Sequence, residues 1–180
     1  MPKRWAVLAA IAGILCSQPS AREQAGPQAD GTFLLPTGWR LKPAGTQIGL
    51  DTFPMSSVLS PDGKYLLVLN AGYRPPSVSV FPVDTMKESA RVPVPNAWLG
   101  LAFAPDGSRV YVGGGAKNAI YEFGFANGTL SAGRTFEILR GSTPGNDDFI
   151  GDVTLSPDGR LIYASDLYHN AVAVVNPQSG

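Results

Sequence analysis

The residues able to do chemistry are few. His169 is the sole histidine, so a histidine-based metal cluster cannot form within the chain. Asp147 and Asp148 offer the oxygen ligands that Ca²⁺ takes. The Asp-x-Asp-x-Asp-Gly spacing of a calcium loop is missing, and the pair reads as an acidic loop. A Ser/His/Asp arrangement would have to use His169, but no Gly-x-Ser-x-Gly nucleophile motif accompanies it. His169 therefore reads as a solvated loop residue. Gly113-Gly114-Gly115 is followed by no helix that could aim amides at a phosphate, so it reads as a turn. Asn127-Gly128-Thr129 satisfies the glycosylation sequon, yet Asn-Gly between two strands is first a hairpin turn. The sequence implies no metal set, no cofactor and no catalytic constellation, and leaves open whether the chain is an enzyme.

The elements that must position these residues repeat. Ser60-Pro61-Asp62-Gly63, Ala104-Pro105-Asp106-Gly107 and Ser156-Pro157-Asp158-Gly159 are three copies of one turn, with prolines 44 and then 52 residues apart. Proline pre-sets φ at the first corner, aspartate bonds its own backbone, and glycine takes the positive φ. A short strand precedes each turn (57–59, 99–103, 152–155) and a second follows it (65–69, 109–112, 161–164). Third strands follow at 78–81, 119–125 and 171–175, and fourth strands at 90–94 and 134–139. The second strands are nearly continuous apolar runs, as expected where both faces of a sheet are covered. Four strands per repeat, with one turn recurring at a fixed phase, predict an all-β fold. The expected architecture is a partial β-propeller of about three four-stranded antiparallel blades, part of a seven-bladed ring. Blade 1 is expected over 55–95, blade 2 over 96–140 and an incomplete blade 3 over 141–180. Residues 46–50 fall at the phase of a fourth, outermost strand without a blade of its own.

In such a fold the Pro-Asp-Gly turns lie on one face. The loops joining second to third strands, and those joining one blade to the next, lie on the other, around the channel mouth. Those loops carry Tyr73, Arg74, Trp98, Lys117, Asp147, Asp148, Phe149, Asp166, Tyr168 and His169. Function concentrates on loops held by a rigid scaffold, so these are the candidate binding residues. The plainer reading of Trp98 is a cap on the core between blades.

The strands that follow the turns read Leu67-Val68-Leu69-Asn70, Tyr111-Val112-Gly113-Gly114 and Tyr163-Ala164-Ser165-Asp166. With the three Pro-Asp-Gly turns, they resemble the YVTN-type β-propeller repeat proteins, a group similar to lactonase-like propellers. Leu35-Pro36-Thr37-Gly38-Trp39, Pro43-Ala44-Gly45-Thr46-Gln47 and Trp98-Leu99-Gly100-Leu101-Ala102-Phe103 resemble the opening of bacterial exported proteins in which a propeller precedes a phosphoesterase domain of the alkaline phosphatase superfamily. That resemblance implies a scaffold or binding module, which binds a protein or small molecule at its mouth or positions a downstream enzyme domain. A lactonase-like enzyme with its site in the mouth, or a surface repeat protein, are the alternatives.

Lys3 and Arg4 precede an uncharged apolar run of 12 residues, 5–16, and polar small residues follow. This is the order of a secretory signal peptide, expected over 1–26, with a polar leader over 27–45 whose first part is disordered. The run is too short to span a bilayer as a mature helix. Cys16 is the only cysteine, so stability must come from a sizeable core. Fourteen basic and fourteen acidic residues cancel, leaving no basic face for nucleic acid. The expected location is extracytoplasmic, in the periplasm or medium. Intact-mass measurement of the exported protein should show a first residue between Ser17 and Pro27. Unprocessed chain recovered from the cytosol would contradict export.

Overall fold

The computed structural model describes residues 24–138 and 149–180. The expected signal peptide over 1–26 thus lies almost wholly outside the described residues. The chain divides into two compact units, Met1–Gln47 and Ile48–Gly180.

The first unit corrects one expectation. The polar leader carries a three-stranded antiparallel meander of β1 (Gly26–Pro27), β2 (Phe33–Leu34) and β3 (Arg40–Leu41). Two tight turns build it. Asp30 Oδ1 accepts from the Thr32 amide (3.0 Å) and hydroxyl (2.6 Å), and Gly31 and Gly38 take φ of 78° and 84°. Polar composition concealed turn chemistry that local side-chain bonds satisfy.

Among the described residues the second unit holds eleven strands in three sheets, each a simple antiparallel meander. Blade 1 is β4 (Pro54–Leu59), β5 (Tyr65–Asn70), β6 (Ser77–Pro82) and β7 (Ala90–Pro93). Blade 2 is β8 (Leu101–Phe103), β9 (Arg109–Gly113), β10 (Ala119–Ala126) and β11 (Thr129–Glu137). Blade 3 is β12 (Ile150–Leu155), β13 (Ile162–Asp166) and β14 (Ala171–Val175). Among the described residues there is no helix. The fold is a partial β-propeller. Residues 46–50 form no strand. A strand needs a partner's amides and carbonyls, and no described strand pairs with this segment.

The three turns are built alike. Ser60 Oγ donates to Asp62 (2.6 Å) and Ser156 Oγ to Asp158 (2.6 Å). Each carboxylate also accepts a backbone amide two residues on. In the middle copy Ala104 has no hydroxyl, and Ser108 supplies one from the other side (2.9 Å). Hydroxyl and amide donors hold all three carboxyls below the ordinary aspartate range. Consecutive turns also stack. A Cβ on Gly107 would stand 3.4 Å from the Pro61 ring, and one on Gly159 3.2 Å from the Pro105 ring.

Alternation places the core. Val110 and Val112 of β9, with Ala119, Tyr121 and Phe123 of β10, pack against Leu67, Leu69, Val78 and Val80 of blade 1. Tyr111 and Ile120 point the other way, against Ile150, Val153, Ile162 and Ala164 of blade 3. Blade 2 is therefore buried on both faces, which is why its sequence lacks an apolar/polar alternation. On the far face of blade 3, Val172 remains 59 % exposed. Glu122 is a buried charge within blade 2. Arg134 donates to both its oxygens (3.1 Å each) and Tyr111 Oη to one (3.1 Å). Burial alone would raise the Glu122 carboxyl, but these donors hold it below the ordinary range. Arg134 reaches on to the Pro177 carbonyl, tying blade 2 to the end of blade 3.

Backbone bonds also cross between blades 2 and 3. The Gly100 amide donates to the Gly151 carbonyl (3.0 Å), and Gly115 and Ile150 exchange bonds of 3.0 and 3.1 Å. Glycine is required here by contact. A Cβ on Gly113 would lie 2.4 Å from the Gly151 oxygen, and one on Gly100 2.8 Å from the same atom. A backbone oxygen cannot rotate aside as a side chain can. Gly113→Ala should therefore destabilise the unit by about 2 kcal/mol or more. Gly49→Ala, at a site with open space, should leave thermal unfolding nearly unchanged. Equal melting points for the two variants would remove the steric role of the seam.

Candidate functional site

The face opposite the Pro-Asp-Gly turns gathers five of the candidate residues at the seam between blades 2 and 3. Trp98 arrives on the connection from blade 1, its amide bonded to the Gly113 carbonyl (3.3 Å). Phe149 stands just before β12, and the Leu167 amide donates to its carbonyl (2.9 Å). Its ring tip lies 3.5 Å from where a Gly115 Cβ would stand, so Gly115, at φ 52°, makes room for it. Tyr168 lies in the β13–β14 turn.

The three rings form a continuous shelf. Trp98 and Phe149 meet edge to face at 5.8 Å between centroids, and Phe149 and Tyr168 at 5.3 Å. Such geometry stabilises ring pairs beyond simple burial. Trp98 is 40 % exposed and Tyr168 62 %, so the shelf faces outward. Trp98 is therefore not simply a core cap. Part of its ring remains exposed beside Phe149.

Beside the shelf, His169 departs from the solvated loop residue expected. Its Nδ1 sits 3.1 Å from one Asp166 oxygen and 3.2 Å from the other. The Asp166 side chain is fully buried and that of His169 only 23 % exposed. The i, i+3 spacing conceals the pairing in sequence, because the tight turn ending at Asn170 (φ 50°) folds the imidazole back over the end of β13.

The other candidates lie apart. Tyr73 is 89 % exposed and makes no ring contact among the described residues. Arg74 turns to Asp51 (3.5 Å), which also receives Arg91 (2.7 Å). Lys117 is exposed on its turn. Asp147 and Asp148 lie outside the described residues. Among the described residues no group of three or more His, Cys, Asp or Glu could hold a metal. Asn127 and Gly128, at φ 50° and 77°, form the hairpin turn between β10 and β11.

Sequence reasoning missed two buried polar groups. The first is the Glu122 cluster, whose signal is a lone charge between apolar Tyr121 and Phe123. The second is Asn70, which donates to the hydroxyls of Ser79 (2.9 Å) and Ser77 (3.4 Å). Asn70, Gly114 and Asp166 hold the same place in their blades, nine residues after the turn proline. A cavity of 420 Å³ also lies on the turn face, between blades 1 and 2, lined by Ser60, Asp62, Tyr65, Asp106 and Asn127 among others.

The family model described as "Lactonase, 7-bladed beta-propeller" matches residues 99–180, a stretch that includes Phe149, Asp166, Tyr168 and His169. No curated protein sequence matches the chain. Among solved structures, the chain is similar to hydrazine synthase of Kuenenia stuttgartiensis, with 23 % identity and a TM-score of 0.59, over 75 % of this chain and 36 % of that one. It is similar to a Bacteroides uniformis protein described as a candidate 6-phosphogluconolactonase, with 23 % identity and a TM-score of 0.55, over 83 % and 48 %. A Lactobacillus plantarum protein matches at 19 % identity and a TM-score of 0.61, over 81 % and 46 %. The chain thus spans less than half the length of each, and at these identities the likeness is one of fold.

Proposed function

We propose that this chain is part of an exported, lactonase-like propeller whose ligand site is the Trp98–Phe149–Tyr168 shelf at the seam of blades 2 and 3. The observation that carries the reading is the shelf itself. Three elements distant in sequence bring partly exposed rings into contact beside a carboxylate–imidazole pair. A cyclic ester suits such a surface. Its ring carbons pack on aromatic faces, and its carbonyl and hydroxyls need polar partners at the edge. The lactonase family match over residues 99–180 supports the same reading.

A second reading keeps the exported propeller as a YVTN-type scaffold that presents this face to a protein or positions an enzyme domain of the same polypeptide. Tyr73, which stands in solvent on the same face without a ring contact among the described residues, favours it.

Glucono-δ-lactone is the probe that separates the two. Titrated calorimetrically against the protein, it should bind. Phe149→Ala and Tyr168→Ala should each weaken binding by about fivefold, the magnitude of one stacking contact of about 1 kcal/mol. No binding by the unsubstituted protein, or equal binding by all three, would contradict a lactone site on the shelf and leave the scaffold reading.

A further inference from the structure

We infer that His169 is the general base of this site and Asp166 its positioning residue, acting on carboxylic esters, lactones in the first instance. The inference rests on the shelf being the lactone-binding surface, and it adds the group that performs the chemistry.

The three blades supply their own comparison. At the same place in each repeat stand Asn70, Gly114 and Asp166. In blade 1 the Asn70 amide group donates to two serine hydroxyls of the following strand, and its Oδ1 is buried without a hydrogen-bond partner among the described residues. In blade 2 glycine has no side chain to satisfy, and its turn closes through the backbone, with the Lys117 amide on the Gly114 carbonyl (3.0 Å). Neither turn needs an ionisable pair to form. Blade 3 alone places a wholly buried carboxylate there and folds an imidazole onto it. Burying a carboxylate is costly without strong donors, so a turn that closes with asparagine or glycine gains little by it. That pair also adjoins the aromatic shelf, through Tyr168 in the same turn and through Phe149, whose carbonyl accepts the Leu167 amide.

The geometry sets the roles. A carboxylate only accepts, so the imidazole proton facing it sits on Nδ1, and Nε2 becomes the basic nitrogen. A buried partner on Nδ1 also fixes the ring plane and stabilises the imidazolium once formed, without itself taking the proton. With a lactone on the shelf, Nε2 takes a proton from water as the water oxygen bonds to the ester carbonyl carbon. The tetrahedral intermediate collapses by breaking the bond to the ring oxygen, which receives that proton from Nε2. The products are an open-chain hydroxy acid and the neutral imidazole. Atoms and charge balance with water as the only co-reactant.

The test uses glucono-δ-lactone as substrate, with hydrolysis followed by pH-stat above the spontaneous rate and binding followed by calorimetry. His169→Ala should lower kcat by about a hundredfold or more with binding retained, and added imidazole should restore part of the rate. His169→Gln, which keeps size and polarity at a partly exposed site, should lose the rate equally. Asp166→Asn should lower kcat by at least about tenfold with KM unchanged. Binding with undiminished hydrolysis in His169→Ala would overturn the role of His169, as would loss that imidazole fails to rescue. Binding without hydrolysis by the unsubstituted protein would overturn it too, while leaving the shelf intact. Absence of binding would instead remove the shelf, and the inference with it.

Discussion

Blades 2 and 3 approach until backbone meets backbone, and that approach depends on the absence of two Cβ atoms. At Gly100 and Gly113 the chain of blade 2 sits against the Gly151 carbonyl of blade 3, and bonds from the Gly100, Gly115 and Ile150 amides join the sheets as well as side-chain packing. Main-chain groups buried at an interface need partners, and here the neighbouring blade provides them. The consequence is positional. Trp98 hangs from the Gly113 carbonyl, and Phe149 sits one residue before the bridge between Ile150 and Gly115. The shelf therefore inherits its geometry from the least compressible part of the interface. A glycine widened by one methyl would displace a carbonyl and, with it, the rings.

Away from the seam the blades are held by different means at different radii. Apolar alternation fills the middle, with blade 2 sandwiched between its neighbours. At the turn face, each proline ring underlies the glycine of the next turn. Towards the edge of the sheets, Glu122 and Arg134 join the outer strand of blade 2 to the end of blade 3. The pair is strongly donor-satisfied, and its value lies as much in fixing one arrangement of the blades as in net stability. These contacts all serve one geometric demand, since stacked sheets in a propeller must keep a constant angle to share a central axis.

Local chemistry with a strict residue requirement was legible in the sequence. Pro-Asp-Gly turns need particular backbone angles, and continuous apolar strands need two covered faces, so both could be read from residue types alone. The strands around each turn accordingly lie within a few residues of their expected places. What depended on partners distant in the chain was less visible. The glycines of the seam look like turn residues until the opposing carbonyl is in view. His169 looks like a loop residue because its partner lies only three positions away, on a strand end whose burial is set by packing. Residues 46–50 have the phase of a strand but no described neighbour to pair with, and the expected leader hides a small meander in Gly31 and Gly38 turns. Loop membership named Trp98, Phe149, Asp166, Tyr168 and His169, which the fold brings together, but could not separate them from Tyr73, Arg74 and Lys117, which lie apart from that cluster.

The aromatic shelf depends on the seam between blades 2 and 3. Amide hydrogen exchange at single-residue resolution addresses it directly, because the Gly100, Gly115 and Ile150 amides donate across the seam while those of β9 and β10 donate within blade 2. Joined blades open together, so the crossing amides should exchange nearly as slowly as the interior amides of Val110 and Val112. Exchange of the crossing amides at loop-like rates, with β9 and β10 still protected, would show blades that pack without being joined, and would leave the aromatic shelf without the support described for it.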